Sequence, residues 1–227
     1  MVAGAATWQA GGERGLFDRS LLDKEPPQVK LVASKFTSFA GGNSGNKMMG
    51  TGLPAAAVVS AAYGFDTPAR TILATTLPEG RYDFIASLPQ GNAEALQREV
   101  KRQFGVVARQ ERRETDVLLL KVKAANAAGL RPSGPNSNDF MLWRGLGRLD
   151  CQSLTLAGLA SEIEALANVP ILDRTGLTNR YDFVLNCLQT DLLNRQWKNV
   201  NAALDPLGLE LAPSRESIEM LVVEKAR

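Results

Sequence analysis

The tetrapeptide Arg-Tyr-Asp-Phe is written twice in this chain, at 81–84 within GRYDF and at 180–183 within NRYDF. Its surroundings repeat with it. A helical pattern precedes each copy, "LPAAAVVSAAYG" (53–64) and "LTLAGLASEIEALANV" (154–169). A second helical pattern ending in glycine follows, "NAEALQREVKRQFG" (92–105) and "QWKNVNAALDPLG" (196–208). Then "RRETDVLLLKVKA" (112–124) answers "SRESIEMLVVEKA" (214–226). Matching pieces stay roughly a hundred residues apart, as a duplicated unit of about 75 residues requires and a chance tetrapeptide does not.

The pattern predicts an α+β protein of two tandem related units, each a small mixed or antiparallel sheet covered by two helices. Residues 1–27, Gly-rich and ending in Pro26-Pro27, read as an N-terminal tail or arm, 28–124 as the first repeat, 125–148 as a linker and 149–227 as the second repeat. Strands are predicted at 28–36, 81–89, 106–111, 115–123, 179–188, 209–214 and 218–226. The continuously apolar run 117–120 marks a strand covered on both faces. In the helix at 92–105, Asn92 is the expected N-cap, with Ala93, Leu96, Val100 and Phe104 on the inner face. In 154–169, Leu156, Leu159, Ile163 and Leu166 share a face. Pro206 should end the helix at 196–208 early. Phe140, Leu142 and Trp143, in the linker, are expected to need burial.

Residues two apart in a strand face the same side. Tyr82 with Phe84, and Tyr181 with Phe183, are therefore expected as core anchors, and the Arg and Asp of each motif as outer-side residues that pair or cap a turn. The functional alternative places Arg81, Asp83, Arg180 and Asp182 around a polar groove between the repeats. There they would bind a ligand, or the two carboxylates would do acid-base work.

Other chemistry is narrowed by composition. With no histidine in 227 residues, Ser-His-Asp, Cys-His and HExxH mechanisms are excluded. Two cysteines cannot build a four-thiolate zinc cage, and no metal site or cofactor is expected. Cys151 and Cys187 either form a disulfide, closing a loop of about 36 residues for about 3–4 kcal/mol, or stay as two buried thiols; spacing does not decide. The Gly-rich stretch 40–52 departs from a phosphate-binding loop, since Lys47 follows Asn46 and precedes Met48, so it reads as a flexible connection. A formal net charge of +2 gives no strong field for nucleic acid. The basic run Arg98, Lys101, Arg102, Arg109, Arg112 and Arg113 is interleaved with Glu94, Glu99, Glu111 and Glu114, as on a solvated face. No apolar run is long enough to span a membrane. The opening lacks the basic region and apolar core of a secretory signal, so export would need a leader or anchor absent from this sequence.

"VPILDRTGLTNRYDFVLNC" and "LDPLGLELAPSRESIEMLVVEKA" resemble the C-terminal half of the soil-associated bacterial DUF3738 family of unknown function. "QVKLVASKF", "LPAAAVVSAAYG" and "ALQREVKRQFGVVARQERRETDVLLLKVK" resemble its N-terminal half, and "GLRPS" its usual "KLKPS". The family's histidine before Arg-Glu is Arg109 or Gln110 here. The resemblance implies an extracytoplasmic, exported or tethered protein, and carries no catalytic residues. The expected function is a non-enzymatic binding module of the cell envelope, with an envelope protein or small molecule as partner. The alternatives are a hydrolase using paired carboxylates between the repeats, and a ligand-sensing domain.

Overall fold

The computed structural model describes residues 18, 20–65, 67–124, 129–134 and 140–227. Much of the expected arm, and of the expected linker at 125–128 and 135–139, lies outside them.

Two compact units form, one of Met1–Glu111 with Met220–Arg227, the other of Arg112–Glu219. In chain order the first elements are α1 (Leu21–Lys24), β1 (Val29–Ala33), the hairpin β2 (Ala40–Ser44) and β3 (Lys47–Pro54), α2 (Ala55–Ala62), β4 (Thr71–Leu73), β5 (Arg81–Ala86), α3 (Asn92–Phe104) and the long β6 (Val106–Val122). Then come β7 (Arg131–Pro132), the hairpin β8 (Phe140–Arg144) and β9 (Arg148–Leu154), α4 (Leu156–Ala167), β10 (Ile171–Asp173), β11 (Tyr181–Leu185), α5 (Gln189–Leu193), α6 (Trp197–Leu204) and β12 (Leu209–Lys225). Apart from α1 and α5, the second series retraces the first. The fold is α+β. The first unit's antiparallel sheet has the order β1-β5-β3-β2 and the second's β7-β11-β9-β8, the same order with every label advanced by six.

The long strands change units along their length. Residues 106–111 of β6 belong to the first unit and 112–122 to the second, while 209–219 of β12 belong to the second and 220–225 to the first. In the first unit, β4 runs parallel to the end of β12, with Thr71 opposite Leu221 and Leu73 opposite Val223. In the second, β10 runs parallel to the end of β6, with Ile171 opposite Leu118 and Asp173 opposite Leu120. Leu221 and Val223 thereby join Leu31, Val58, Phe84, Leu96 and Val100 in the first core. Leu118 and Leu120 join Leu159, Ile163, Phe183 and Leu204 in the second. Each such burial contributes about 1.5–3 kcal/mol. Each core is completed by the last strand of the other sequence repeat.

Four expectations are corrected. The strands expected at 106–111 and 115–123 are one strand of 17 residues, as are those at 209–214 and 218–226. The charged stretches between them do not interrupt pairing, because their side chains face water; Arg112 even reaches back to the Ser217 carbonyl at 2.7 Å. The Gly-rich stretch 40–52 is a hairpin rather than a flexible connection. Gly45 turns it at φ +57°, and Gly50 lets β3 lie on β5, since a Cβ there would overlap Leu53 Cδ1 and Phe84 Cε1. Asn92 is the first residue inside α3 and Gly91, at φ +71°, is the N-cap. The buried Asn92 amide instead accepts the Leu88 N–H at 2.7 Å and donates to the carbonyls of Leu88 and Asn46. Phe140 and Leu142 are exposed, on an edge strand; Trp143 alone turns inward, its indole N–H donating to Glu162 at 2.7 Å.

Elsewhere the local patterns hold. Leu156, Leu159 and Ile163 are fully buried and Leu166 partly so. Thr155 caps α4 by accepting the Gly158 N–H. A 3₁₀ turn at Asp205–Leu207 carries Pro206 and leads into left-handed Gly208.

Candidate functional site

The repeated motif builds the same device in both units. On β5, Phe84 is buried and Tyr82 is half-buried, its ring edge-on to Phe104 with centroids 4.7 Å apart. On β11, Tyr181 and Phe183 are both buried. Arg81 and Arg180 are exposed and Asp182 partly so, with only Asp83 buried, yet the motif's polar groups are tied to the main chain. The Gly52 N–H donates to Asp83 Oδ1 at 2.8 Å, and Arg81 Nη1 donates to the Gly52 carbonyl at 2.7 Å. In the second unit the Ser153 N–H donates to Asp182 Oδ1 at 2.8 Å, and Arg180 Nη1 donates to the Ser153 carbonyl at 2.6 Å. Gly52 and Ser153 hold corresponding places in β3 and β9. Both adopt left-handed φ, +62° and +54°. Each lies where the pairing to the motif strand slips, between Gly50 and Leu53 and between Tyr181 and Phe183. Arg-x-Asp is thus a pincer, one arm on the carbonyl and one on the N–H of a bulge residue that has left the sheet ladder. The bulge's polar groups would otherwise be buried unpaired.

Asp83 is 5% exposed, and each carboxylate serves the main chain of its own unit. The Ser133 hydroxyl, at 2.5 Å, and the Ser153 N–H hold the Asp182 carboxyl below its ordinary range. The pincer accounts for both Arg-Asp pairs without a reacting group. Two members of the basic run are in ion pairs: Arg102 pairs with Glu99, and Arg109 with Glu111 and Glu224. Among the described residues, no three His, Cys, Asp or Glu side chains come together as metal ligands.

Cys151 and Cys187 are free thiols, not a disulfide. Both pack as small apolar side chains in the second core. Burial, with the nearby Glu162 and Asp150 charges, pushes the Cys151 thiol up to about 12; burial and Asp191 push Cys187 to about 11. The thiolate is the reactive form. Native protein at pH 8 is therefore expected to take up almost no disulfide reagent over minutes, and two equivalents once guanidinium is added. Rapid native labelling would mean that these thiols are not held in the core.

A cavity lies in the first unit. It is a groove of about 470 Å³ between the β2–β3 hairpin and α2. Gly41, Gly42 and Gly45 form its bare wall; Met48, Leu53, Phe84, Ala57 and Ala61 line its apolar side, with Asn43, Asn46 and Lys47 at the polar positions. The groove exists because β2 carries almost no side chains and α2 presents alanines toward it. Lys47 is turned away to Asp23 and the Leu22 carbonyl. Reading 40–52 as a loop hid this wall. The clue was the pairing of glycines with the alanine spacing of 53–64, legible only once both lie on one sheet. A second cavity of about 210 Å³ in the second unit is lined by Val122, Leu130, Pro132, Leu177, Tyr181 and Leu207.

No helix among the described residues is long and apolar enough to cross a membrane. Comparison with curated proteins and with solved structures finds no match. One family model does match, over residues 56–226, and it takes in α3, both pincers and both long strands: the chain belongs to DUF3738, a protein family of unknown function.

Proposed function

We propose that the chain is a non-enzymatic binding module of the bacterial cell envelope, and that the groove of the first unit takes a small apolar ligand. The carrying observation is the groove itself, glycine on one wall and apolar on the other. Its volume of about 470 Å³ is in the range of small-molecule sites, roughly 300–1,000 Å³. Burial of apolar surface supplies affinity there, and the main-chain groups of the glycine strand supply orientation. The pincer supports the non-enzymatic part, because it gives the repeated Arg and Asp a structural task. The likeness to exported and tethered family members supports the envelope placement, and a reporter fusion that is active only outside the cytoplasm would check it.

The binding reading is tested with methyl-labelled methionine. Of the five methionines, Met48 and Met49 border the groove. Met48 packs on the groove side with Leu53 and Phe84, whereas the next side chain, Met49, packs on the other face of the sheet with Leu22 and Ile85. Titration with an apolar fragment set is therefore expected to shift the Met48 methyl signal most and to leave Met141 and Met220 in place. Ala57→Leu, which narrows the groove, should weaken the best fragment at least tenfold. A silent Met48 signal across the set, or unchanged affinity in Ala57→Leu, would sink the proposal.

A further inference from the structure

We propose that β8 is a homodimerisation edge, at which two copies of the chain pair their Phe140–Arg144 strands antiparallel about a two-fold axis through Leu142. β8 is the last strand of the second unit's sheet, so one side of its main chain has no strand partner among the described residues. Exposed edges are ordinarily blunted by lysine, proline, a bulge or extreme shortness. β8 has no lysine, proline or bulge; its one charge, Arg144, sits at the end of the strand and is paired with Asp150, and the strand pairs regularly with β9. It carries apolar residues instead: Phe140 is 43% exposed, Met141 38% and Leu142 42%. Leu146 at the hairpin tip and Leu188 beside it are also exposed. The last two adjoin each other at the hairpin tip, since the Gln189 N–H donates to the Leu146 carbonyl and a Cβ on Gly147 would meet Leu188. Exposed large apolar side chains grouped as in Phe140–Leu142 mark an interaction surface.

The fold does not require these side chains. The corresponding edge of the first unit is β2, Ala-Gly-Gly-Asn-Ser, which holds the same place in the same sheet order with almost no apolar surface. The difference is specific to β8.

Its own sequence fits a second copy of itself. Pairing with β9 puts Leu142 opposite Asp150 and Arg144 opposite Arg148, while Met141 faces the buried Cys151. Phe140, Leu142 and Arg144 therefore share the sheet's outer face. An antiparallel pair centred on Leu142 keeps that face and sets Leu142 against Leu142 of the second copy. Each Arg144 then lies across from a Phe140, apolar stem and guanidinium against ring, with no like charges opposed. A parallel pair would oppose the two Arg144 residues. A one-residue slip would turn the partner's Phe140 and Leu142 to the wrong face. A two-fold pairing of this one strand buries a small interface, well below about 1,200 Å², which suits a weak, reversible dimer.

Sedimentation of the full chain from about 1 μM to 1 mM should show a concentration-dependent dimer. Leu142→Lys puts two like charges on the axis and should raise the dissociation constant at least thirtyfold. Phe39→Ser, a change at an exposed residue of the first unit, should leave it unchanged. Leu142→Cys should form a covalent dimer under mild oxidation, with the native thiols buried, while Phe140→Cys should not, since its two copies stand about four residues apart along the pair, roughly 13 Å. A monomer at 1 mM, a dimer indifferent to Leu142→Lys, or cross-linking at 140 in preference to 142 would each overturn the proposal. A monomer that binds an unrelated extended peptide at this edge would do so too, and would assign β8 to a different partner.

Discussion

Gly52→Ala is expected to be the most damaging small substitution in the first unit, lowering stability by about 3–4 kcal/mol. Two terms combine. The left-handed φ of +62° disfavours any residue with a Cβ by about 1–2 kcal/mol. The new methyl group would also overlap the Ser38 carbonyl oxygen, which is main chain and cannot rotate away. Calorimetry should register a melting temperature lower by on the order of 10 °C. The second unit provides the comparison. Ser153 holds the corresponding bulge at φ +54° with a side chain in place, so strain there is already tolerated. Ser153→Gly relieves that strain but frees the unfolded chain, and should stay within about 1 kcal/mol of wild type. Equal losses from Gly52→Ala and Ser153→Gly would contradict the account of the bulge as a left-handed residue shaped by its neighbours.

Asp83→Ala is expected to lower stability by about 2–3 kcal/mol. Its carboxylate accepts from a buried main-chain N–H, and alanine offers no replacement. The loss is that of a charged hydrogen bond together with an unpaired donor. Asp83→Asn keeps an acceptor oxygen and should recover roughly half of it. Asp182→Ala should destabilise the second unit in the same direction. Denaturant titration of the single variants and of the Arg81→Ala/Asp83→Ala pair would measure the coupling of the two arms. An Asp83→Ala midpoint equal to wild type would mean that the pincer does not hold the bulge.

The duplication was legible because it is written in residue types as well as in pattern. The Arg, Asp and aromatic residues recur at fixed spacing, and the amphipathic helices around them keep their apolar faces. What the Arg and Asp do was not legible. Their partner is the main chain of Gly52 or Ser153, and two such different side chains hide a shared backbone conformation. The glycine stretch was misread for a related reason: glycines signal loops when counted along the chain, whereas here they admit close approach between strands. Asn92 fits the cap pattern by type, yet its amide is taken by Leu88 and Asn46, a contact across 46 residues that local rules do not see. The short strands β4 and β10 have three residues each and depend on partners that lie far along the sequence. The groove needed both the hairpin and α2 to be placed before it existed.

The exchange of strand ends fixes an order of completion during synthesis. The ribosome makes the first sequence repeat before the second, yet the core containing Phe84 and Leu96 lacks Leu221 and Val223 until residue 223 has been polymerised. The second unit, Arg112–Glu219, has all of its chain earlier. The part of the protein that starts first is therefore the part that closes last, and a nascent chain stalled before residue 220 carries one finished core and one with its inner strand missing.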